Sequence, residues 1–192
     1  MSATLRWIMT VMAMSLSAGC IDQPKAPYID VHDLVTHIDD SQSQAEQGTA
    51  DDQYRLGAKY EHLVQNYQEA VRWYRMAALE RHPDAIYRLC ILSDRGRGLP
   101  QDYQEALRWC RLAADHGHAQ AMLLIGMYFE KGRGIPSDPV HAHQWYNVAA
   151  AHGLAEGIKR RDRLAVEMTP KQIAQAQFQA MNWKAKYHDA DQ

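Results

Sequence analysis

Apolar residues recur along the central part of the chain with a fixed period of 36 residues. In every period a tryptophan follows an alanine by three residues and precedes a pair of alanines by four and five. A fixed period of roughly 20–50 residues is typical of proteins built from stacked repeats. The pattern therefore predicts a repeat array with these side chains in its core. The predicted core residues are Trp73, Trp109, Trp145, Ala70, Ala106 and Ala142.

Each period contains two segments with the apolar spacing of a helix. We predict the first helices over 51–62, 84–95 and 120–131. The segments 96–100 and 132–136 predict turns, because glycine accepts positive φ and proline cannot continue a helix. The predicted fold class is all-α, an α-solenoid of stacked antiparallel helical hairpins. Its repeats span 50–81, 82–117 and 118–153.

The second helix of each repeat begins at a polar residue suited to an N-cap: Asn66, Asp102 and Asp138. A glutamate follows the first two by three residues, which is the spacing of a capping box. Capping helices are expected at both ends of the repeat domain 30–188. The leading one covers 30–47, where Val31 to Ile38 have helical spacing, and closing helices cover 154–188.

The first 19 residues have the features of a signal peptide. Arg6 precedes an uncharged apolar run over 7–18, which is too short to span a bilayer core of ~30 Å. The run ends in Leu-Ser-Ala-Gly-Cys, which resembles a bacterial lipoprotein lipobox. That resemblance implies that Cys20 carries fatty acids such as palmitate, and that residues 20–29 are a tether. Ile21, where an aspartate favours the inner membrane, indicates the outer membrane. An ordinary signal peptide with an incidental cysteine is the alternative.

The repeats also resemble a known family. Ala-x-x-x-Leu-Gly, Gly-x-Gly-[Ile/Leu]-Pro, Ala-x-x-Trp-Tyr and Ala-Ala-x-x-Gly are similar to the Sel-one-like repeat, a relative of the tetratricopeptide repeat. The resemblance covers about 45–168 and is strongest over 119–153, whereas the second repeat departs from it at Cys90, Ser93 and Cys110. The family implies a scaffold that binds other proteins and is not a catalyst.

Two of the three cysteines, Cys90 and Cys110, lie in the two helices of the same repeat. An antiparallel hairpin brings position 90 close to position 110, and an exported protein enters a compartment where disulfides persist. A disulfide between them is predicted, and two separate buried thiols are the alternative.

Composition excludes several functions. The net charge is −2 without a basic block, so we expect no nucleic-acid partner. The ten histidines lack the spacings of metal sites, and we interpret them as turn and solvent-exposed residues. No nucleophile elbow, phosphate loop or dinucleotide motif occurs, so we expect no enzyme activity, no metal and no cofactor.

By analogy with tetratricopeptide arrays, the first helices line a concave face that suits a peptide or partner helix. Inter-repeat packing by the same residues is the alternative. The candidate binding residues are Tyr54, Ala58, Glu61, His62, Tyr87, Ile91, Asp94, Arg95, Leu123, Met127, Glu130 and Lys131.

The sequence therefore predicts a lipid-anchored adaptor of the bacterial cell envelope that faces the periplasm and binds another protein. Two alternatives remain: a structural subunit of an envelope secretion or polymer-export assembly, and a cell-wall or β-lactam hydrolase.

Overall fold

The computed structural model describes residues 41–186, so the predicted signal peptide, the predicted tether with Cys20 and the first part of the predicted leading helix lie outside the described residues. The described part contains helices and turns without strands, beginning with helical residues 41–47. The named helices are α1 (Ala50–Lys59), a π-helical turn (Tyr60–Val64), α2 (Tyr67–Leu79), α3 (Pro83–Arg95), α4 (Tyr103–Asp115), α5 (Ala119–Lys131), α6 (Pro139–Ala151), α7 (Ala155–Ala165) and α8 (Pro170–Asn182).

The helices stack in chain order. The helix pairs α1–α2, α3–α4 and α5–α6 form the hairpins of units one, two and three, and each second helix also packs on the next first helix. The predicted all-α solenoid is thereby confirmed. No helix in 41–186 has both the length and the apolar character needed to cross a membrane.

The predicted caps form at the start of each second helix. The side chains of Asn66, Asp102 and Asp138 accept hydrogen bonds from backbone N–H groups in the first turn. The glutamates do not complete a capping box, because Glu69 and Glu105 instead form salt bridges with Arg72 and Arg108, three residues later in the same helix. Thr169 and Gln172 do form a complete capping box at α8.

The predicted core alanines are fully buried, but the three tryptophans differ. Trp73 is 2% exposed and Trp145 is 9% exposed. Trp109 is only partly buried and packs between the core of units one and two and the core of units two and three. It therefore contributes to both clusters while part of its surface contacts solvent.

A close approach of glycine and tyrosine joins the two helices of units one and three. A Cβ added to Gly57 would lie 2.8 Å from the ring of Tyr74, and one added to Gly126 would lie 2.5 Å from the ring of Tyr146. A side chain at residue 57 or 126 would collide with the ring, so both positions require glycine. In unit two the same two positions are Cys90 and Cys110, which a disulfide joins with Cα atoms 5.2 Å apart.

The Gly-Arg-Gly turns connect neighbouring units as well as ending helices. Arg97 lies over the ring of Tyr67 in unit one, 5.2 Å from its centroid, and Arg133 lies over Tyr103 in unit two, at 5.7 Å. A Cβ at Gly134 would come within 2.8 Å of Tyr103 Cβ. Each turn thus packs on the start of the preceding second helix.

The last helix departs from the regular stacking order. Helix α7 packs on α6 as the first helix of a further unit would, but α8 then packs mainly on α6. Trp183, which follows α8, contacts Trp145 edge to face with ring centroids 5.5 Å apart. The array is closed by this returning helix.

Candidate functional site

The exposed side of α1 with its π-helical turn, of α3 and of α5, here called the first-helix face, presents three rows of candidate residues. The apolar row is half-buried and contains Ala58, Ile91 and Met127. The basic row, His62, Arg95 and Lys131, is exposed. The acidic row contains Glu61, Asp94 and Glu130, of which Glu61 is only 8% exposed.

Every carboxylate of the acidic row accepts a hydrogen bond from a buried tyrosine. Tyr74 donates to Glu61 at 2.8 Å, and Tyr146 donates to Glu130 within the same unit. Burial, followed by these hydrogen bonds to carboxylates, raises the pKa of both tyrosines well above the ordinary value. The tyrosines therefore remain protonated donors.

The equivalent tyrosine of unit two is replaced by Cys110, and a different residue takes its place as donor. Tyr128 of unit three donates to Asp94 across the unit boundary at 2.8 Å. Its pKa is raised by burial and by this hydrogen bond. The carboxylate of unit two thus keeps a tyrosine partner although the tyrosine of its own unit is missing.

An arginine from the following unit approaches each carboxylate of the acidic row. Arg88 lies 3.6 Å from Glu61, Arg133 lies 3.6 Å from Asp94, and Arg163 lies 3.2 Å from Glu130. The sequence suggested that the acidic row faces a partner. The structure instead engages all three carboxylates in bonds within and between units, because tyrosine and arginine side chains converge on them.

Two candidate tyrosines pack between units. Tyr54 stacks on His82 with ring centroids 4.6 Å apart, and Tyr87 stacks on His118 at 4.2 Å. Tyr54 and Tyr87 therefore pack between repeats, as the alternative interpretation of the candidate binding residues expected. At the next boundary Leu123 and Leu154 occupy the corresponding positions, and Leu154 provides no side-chain cap.

The interpretation of the histidines as turn and solvent-exposed residues is wrong for His143, whereas His82 and His118 lie in turns but have largely buried side chains. His82 and His118 are N-caps: Nδ1 accepts a backbone N–H, and Nε2 lies 3.0–3.1 Å from Asp51 or Asp84. His143 is 2% exposed. The recurrence of His82 and His118 36 residues apart was the signal in the sequence that they share one structural role.

The His118–Asp84 pair does not form a general base. A neutral imidazole with its proton on Nε2 donates to Asp84 while Nδ1 accepts from Ala121 N at 3.2 Å, so both ring nitrogens are occupied. Burial lowers the pKa of His118 and outweighs the opposing effect of Asp84. Within 41–186 no three His, Cys, Asp or Glu side chains converge as metal ligands would.

The side chains that remain free on the first-helix face are apolar or cationic. Arg95 and Lys131 form no salt bridge within the described residues, and they flank Ile91 and Met127. Arg88 approaches His62 Nε2 at 3.4 Å. Since the carboxylates are engaged elsewhere, the face presents positive charge beside a short apolar strip.

The Sel1 repeat family model matches residues 50–82, 83–118 and 119–154, and the chain belongs to this family. The family is typically a non-enzymatic scaffold whose repeats mediate binding to other proteins. The array described above has the fold of such a scaffold. No curated protein matched the chain in sequence.

The solved structures that are similar to the chain include two with repeats of the same kind. The first is c5321, a protective antigen present in uropathogenic Escherichia coli strains that displays an SLR fold. It is 26% identical with a TM-score of 0.73, and the match covers 96% of this chain but only 38% of the antigen. The second is a Sel1 repeat protein from Oxalobacter formigenes, 35% identical with a TM-score of 0.59, covering 66% of this chain and 98% of that protein.

Proposed function

We propose that this chain is a lipid-anchored adaptor of the bacterial cell envelope that binds a partner protein on its first-helix face. The observation that carries the proposal is the engagement of Glu61, Asp94 and Glu130 by tyrosines and arginines. Within 41–186 it leaves Arg95 and Lys131 as the charged groups beside the apolar row that form no salt bridge. These side chains suit a partner segment that combines carboxylates with small apolar side chains.

The contacts between units support the same proposal. The Arg88–Glu61 salt bridge and the Tyr54–His82 stack cross the first internal boundary. The Tyr128–Asp94 hydrogen bond and the Tyr87–His118 stack cross the second. A surface held in one shape loses little conformational entropy when a partner binds. A non-catalytic adaptor needs such a preformed surface more than it needs reactive groups.

The lipid anchor is proposed from the Leu-Ser-Ala-Gly-Cys segment, and it can be tested separately. Cys20→Ala should abolish incorporation of labelled palmitate and move the protein out of the membrane fraction. Equal labelling of wild type and variant would contradict the anchor. The binding proposal would remain, because the first-helix face lies far along the chain from residue 20.

Binding can be tested by crosslinking and co-purification from intact envelopes. Arg95→Glu with Lys131→Glu should reduce recovery of the partner about tenfold or more, since reversal of charges that meet a partner is unfavourable. The matched control is Arg72→Glu with Arg108→Glu, which changes the same charge on exposed positions of the second helices. Equal recovery with both double variants would contradict binding on the first-helix face.

A further inference from the structure

Two neighbouring grooves flank the end of the closing helix α8. One, of about 600 Å³, lies between the end of α6 on one side and the end of α8 with the residues that follow it on the other. The other, of about 580 Å³, lies between α6 and α8 and extends to Phe129. Trp183 lines both grooves. Its ring contacts Trp145, which lines the second groove, and its centroid lies 6.0 Å from that of His152, which lines the first.

The grooves are flanked by apolar side chains that solvent reaches. Met181 is 77% exposed and lines the first groove, and Phe178 is 65% exposed and lines the second. Val148 and Ala180 add to the floor of the first groove. Aromatic residues and methionine are enriched in the centres of protein interfaces, where they supply large contact area.

The charged groups that line these grooves are all basic. Arg111 lines the second groove and Lys184 the first, and neither forms a salt bridge within the described residues. Histidines His141 and His152 are the other ionisable groups, and His141 is bonded to Asp138. No aspartate or glutamate in 41–186 lines either groove. Unpaired positive charge beside an apolar floor is complementary to an acidic amphipathic ligand.

We propose that the two grooves are a second binding surface, which takes an acidic segment of a partner protein with a bulky apolar side chain in each groove. Carboxylates of the segment pair with Arg111 and Lys184. The proposal depends on the proposed function only in treating the chain as an adaptor, since the surface differs from the first-helix face. Concave grooves that receive individual side chains favour a peptide over a flat lipid surface.

The test uses the mature protein from residue 20 and a random peptide library displayed on phage. Selected peptides should carry a net negative charge and at least two bulky apolar residues. Their affinity is then measured by fluorescence polarisation with synthetic labelled peptides. Arg111→Glu with Lys184→Glu should weaken binding about tenfold or more, and Phe178→Ser with Met181→Ser should do the same.

Control variants distinguish this surface from the first-helix face and from a general effect of charge. Lys171→Glu changes an exposed charge in the first turn of α8 outside both grooves and should leave affinity unchanged. Arg72→Glu with Arg108→Glu, a double reversal on the exposed side of the second helices, should also leave it unchanged. A loss of affinity in Arg95→Glu with Lys131→Glu alone would overturn the second surface while supporting the first-helix face. Circular dichroism of each variant checks that the helices are retained.

Three further results would overturn the proposal. Selected peptides without an acidic bias would remove the role of Arg111 and Lys184. A gain in affinity after removal of residues 187–192 would assign the grooves to that segment of the chain, which contains Asp189 and Asp191. In the third result, the protein binds phosphatidylglycerol vesicles and no peptide, and it loses this binding in Arg111→Glu with Lys184→Glu. That result would assign the grooves to lipid.

Discussion

The hydroxyl group of Tyr128 donates a hydrogen bond to Asp94 across the boundary between units two and three. In units one and three the corresponding carboxylate accepts its hydrogen bond from a tyrosine of the same unit, Tyr74 or Tyr146. Cys110 occupies that tyrosine position in unit two and is committed to a disulfide. The hydrogen bond across the boundary therefore compensates for the tyrosine that the disulfide displaced.

Tyr128→Phe should lower the free energy of unfolding by about 1–2 kcal/mol, because it removes a hydrogen bond to a charged group and leaves the ring in place. Urea unfolding followed by circular dichroism measures the loss. The matched control is Tyr103→Phe, since Tyr103 contacts the ring of Tyr128 but its hydroxyl accepts only an exposed bond from Gln101. Equal losses in the two variants would show that the Asp94 bond contributes nothing specific.

Removal of the disulfide should destabilise unit two. The bond joins residues 20 apart, and a loop of that size corresponds to about 3 kcal/mol in the chain-entropy model. Cys90→Ala with Cys110→Ala should therefore lower the thermal midpoint markedly. Titration of thiols in denatured protein, before and after reductant, shows whether the bond exists in protein taken from cells; two free thiols without reductant would contradict it.

The neighbouring units suggest a control for that experiment. Cys90→Gly with Cys110→Tyr recreates the pair that joins the helices at Gly57–Tyr74 and Gly126–Tyr146. This variant should be more stable than the double alanine variant, because the tyrosine ring fills the space that alanine leaves empty. Stability equal to that of the double alanine variant would show that unit two no longer accepts the pair.

Stability should decrease as the pH falls below about 6.5, the ordinary pKa of histidine. Burial lowers the folded-state pKa of His118 and of His143, so the unfolded chain binds protons more readily in this range. Their contribution is complete above the unfolded pKa and is lost as the pH falls through the folded pKa. Urea unfolding from pH 5 to 8 measures the slope.

The variant His118→Asn provides the control for the pH series. Asparagine can cap a helix and does not titrate, so the variant should show a shallower loss of stability with acid. A wild-type protein that becomes more stable between pH 7 and pH 5 would contradict the assignment.

Replacing a tryptophan by alanine should destabilise the protein more at a fully buried position than at a partly buried one. Trp73→Ala removes a side chain that is 2% exposed and should cost about 3–5 kcal/mol. Trp109→Ala should cost less, because part of its surface already contacts water. Thermal unfolding of the two variants tests the order, and a larger loss for Trp109 would contradict it.

The sequence revealed the features that depend on local order. The caps at Asn66, Asp102 and Asp138 and the Gly-Arg-Gly turns each involve residues close together in the chain. The tryptophans lie 36 residues apart, but each marks the same position of its own unit, so their period is visible without knowing how the units stack. Their physical roles follow from helix geometry alone, so the hairpins and their approximate boundaries could be predicted from the order of residues.

The partners of the acidic row could not be identified in the same way. Glu61 lies at the end of a helix beside His62, as solvated residues do, and its bonds reach Tyr74, 13 residues away, and Arg88 in the next unit. Asp94 and Tyr128 are 34 residues apart. Such pairings depend on how units stack, and a periodic sequence allows several partners at each position.

The change of residues at the last unit boundary determines how such an array can grow. The boundaries inside the array use a tyrosine on a histidine cap, whereas Leu123 and Leu154 occupy these positions after unit three, and α8 covers α6. If residues 83–118 were duplicated and inserted after residue 118, both boundaries of the new unit would again place a histidine cap against a tyrosine and an aspartate. Within 41–186, α8 offers a further unit none of these residues. Internal duplication would therefore reuse contacts that the array already has, whereas a unit packed on α8 would need different ones.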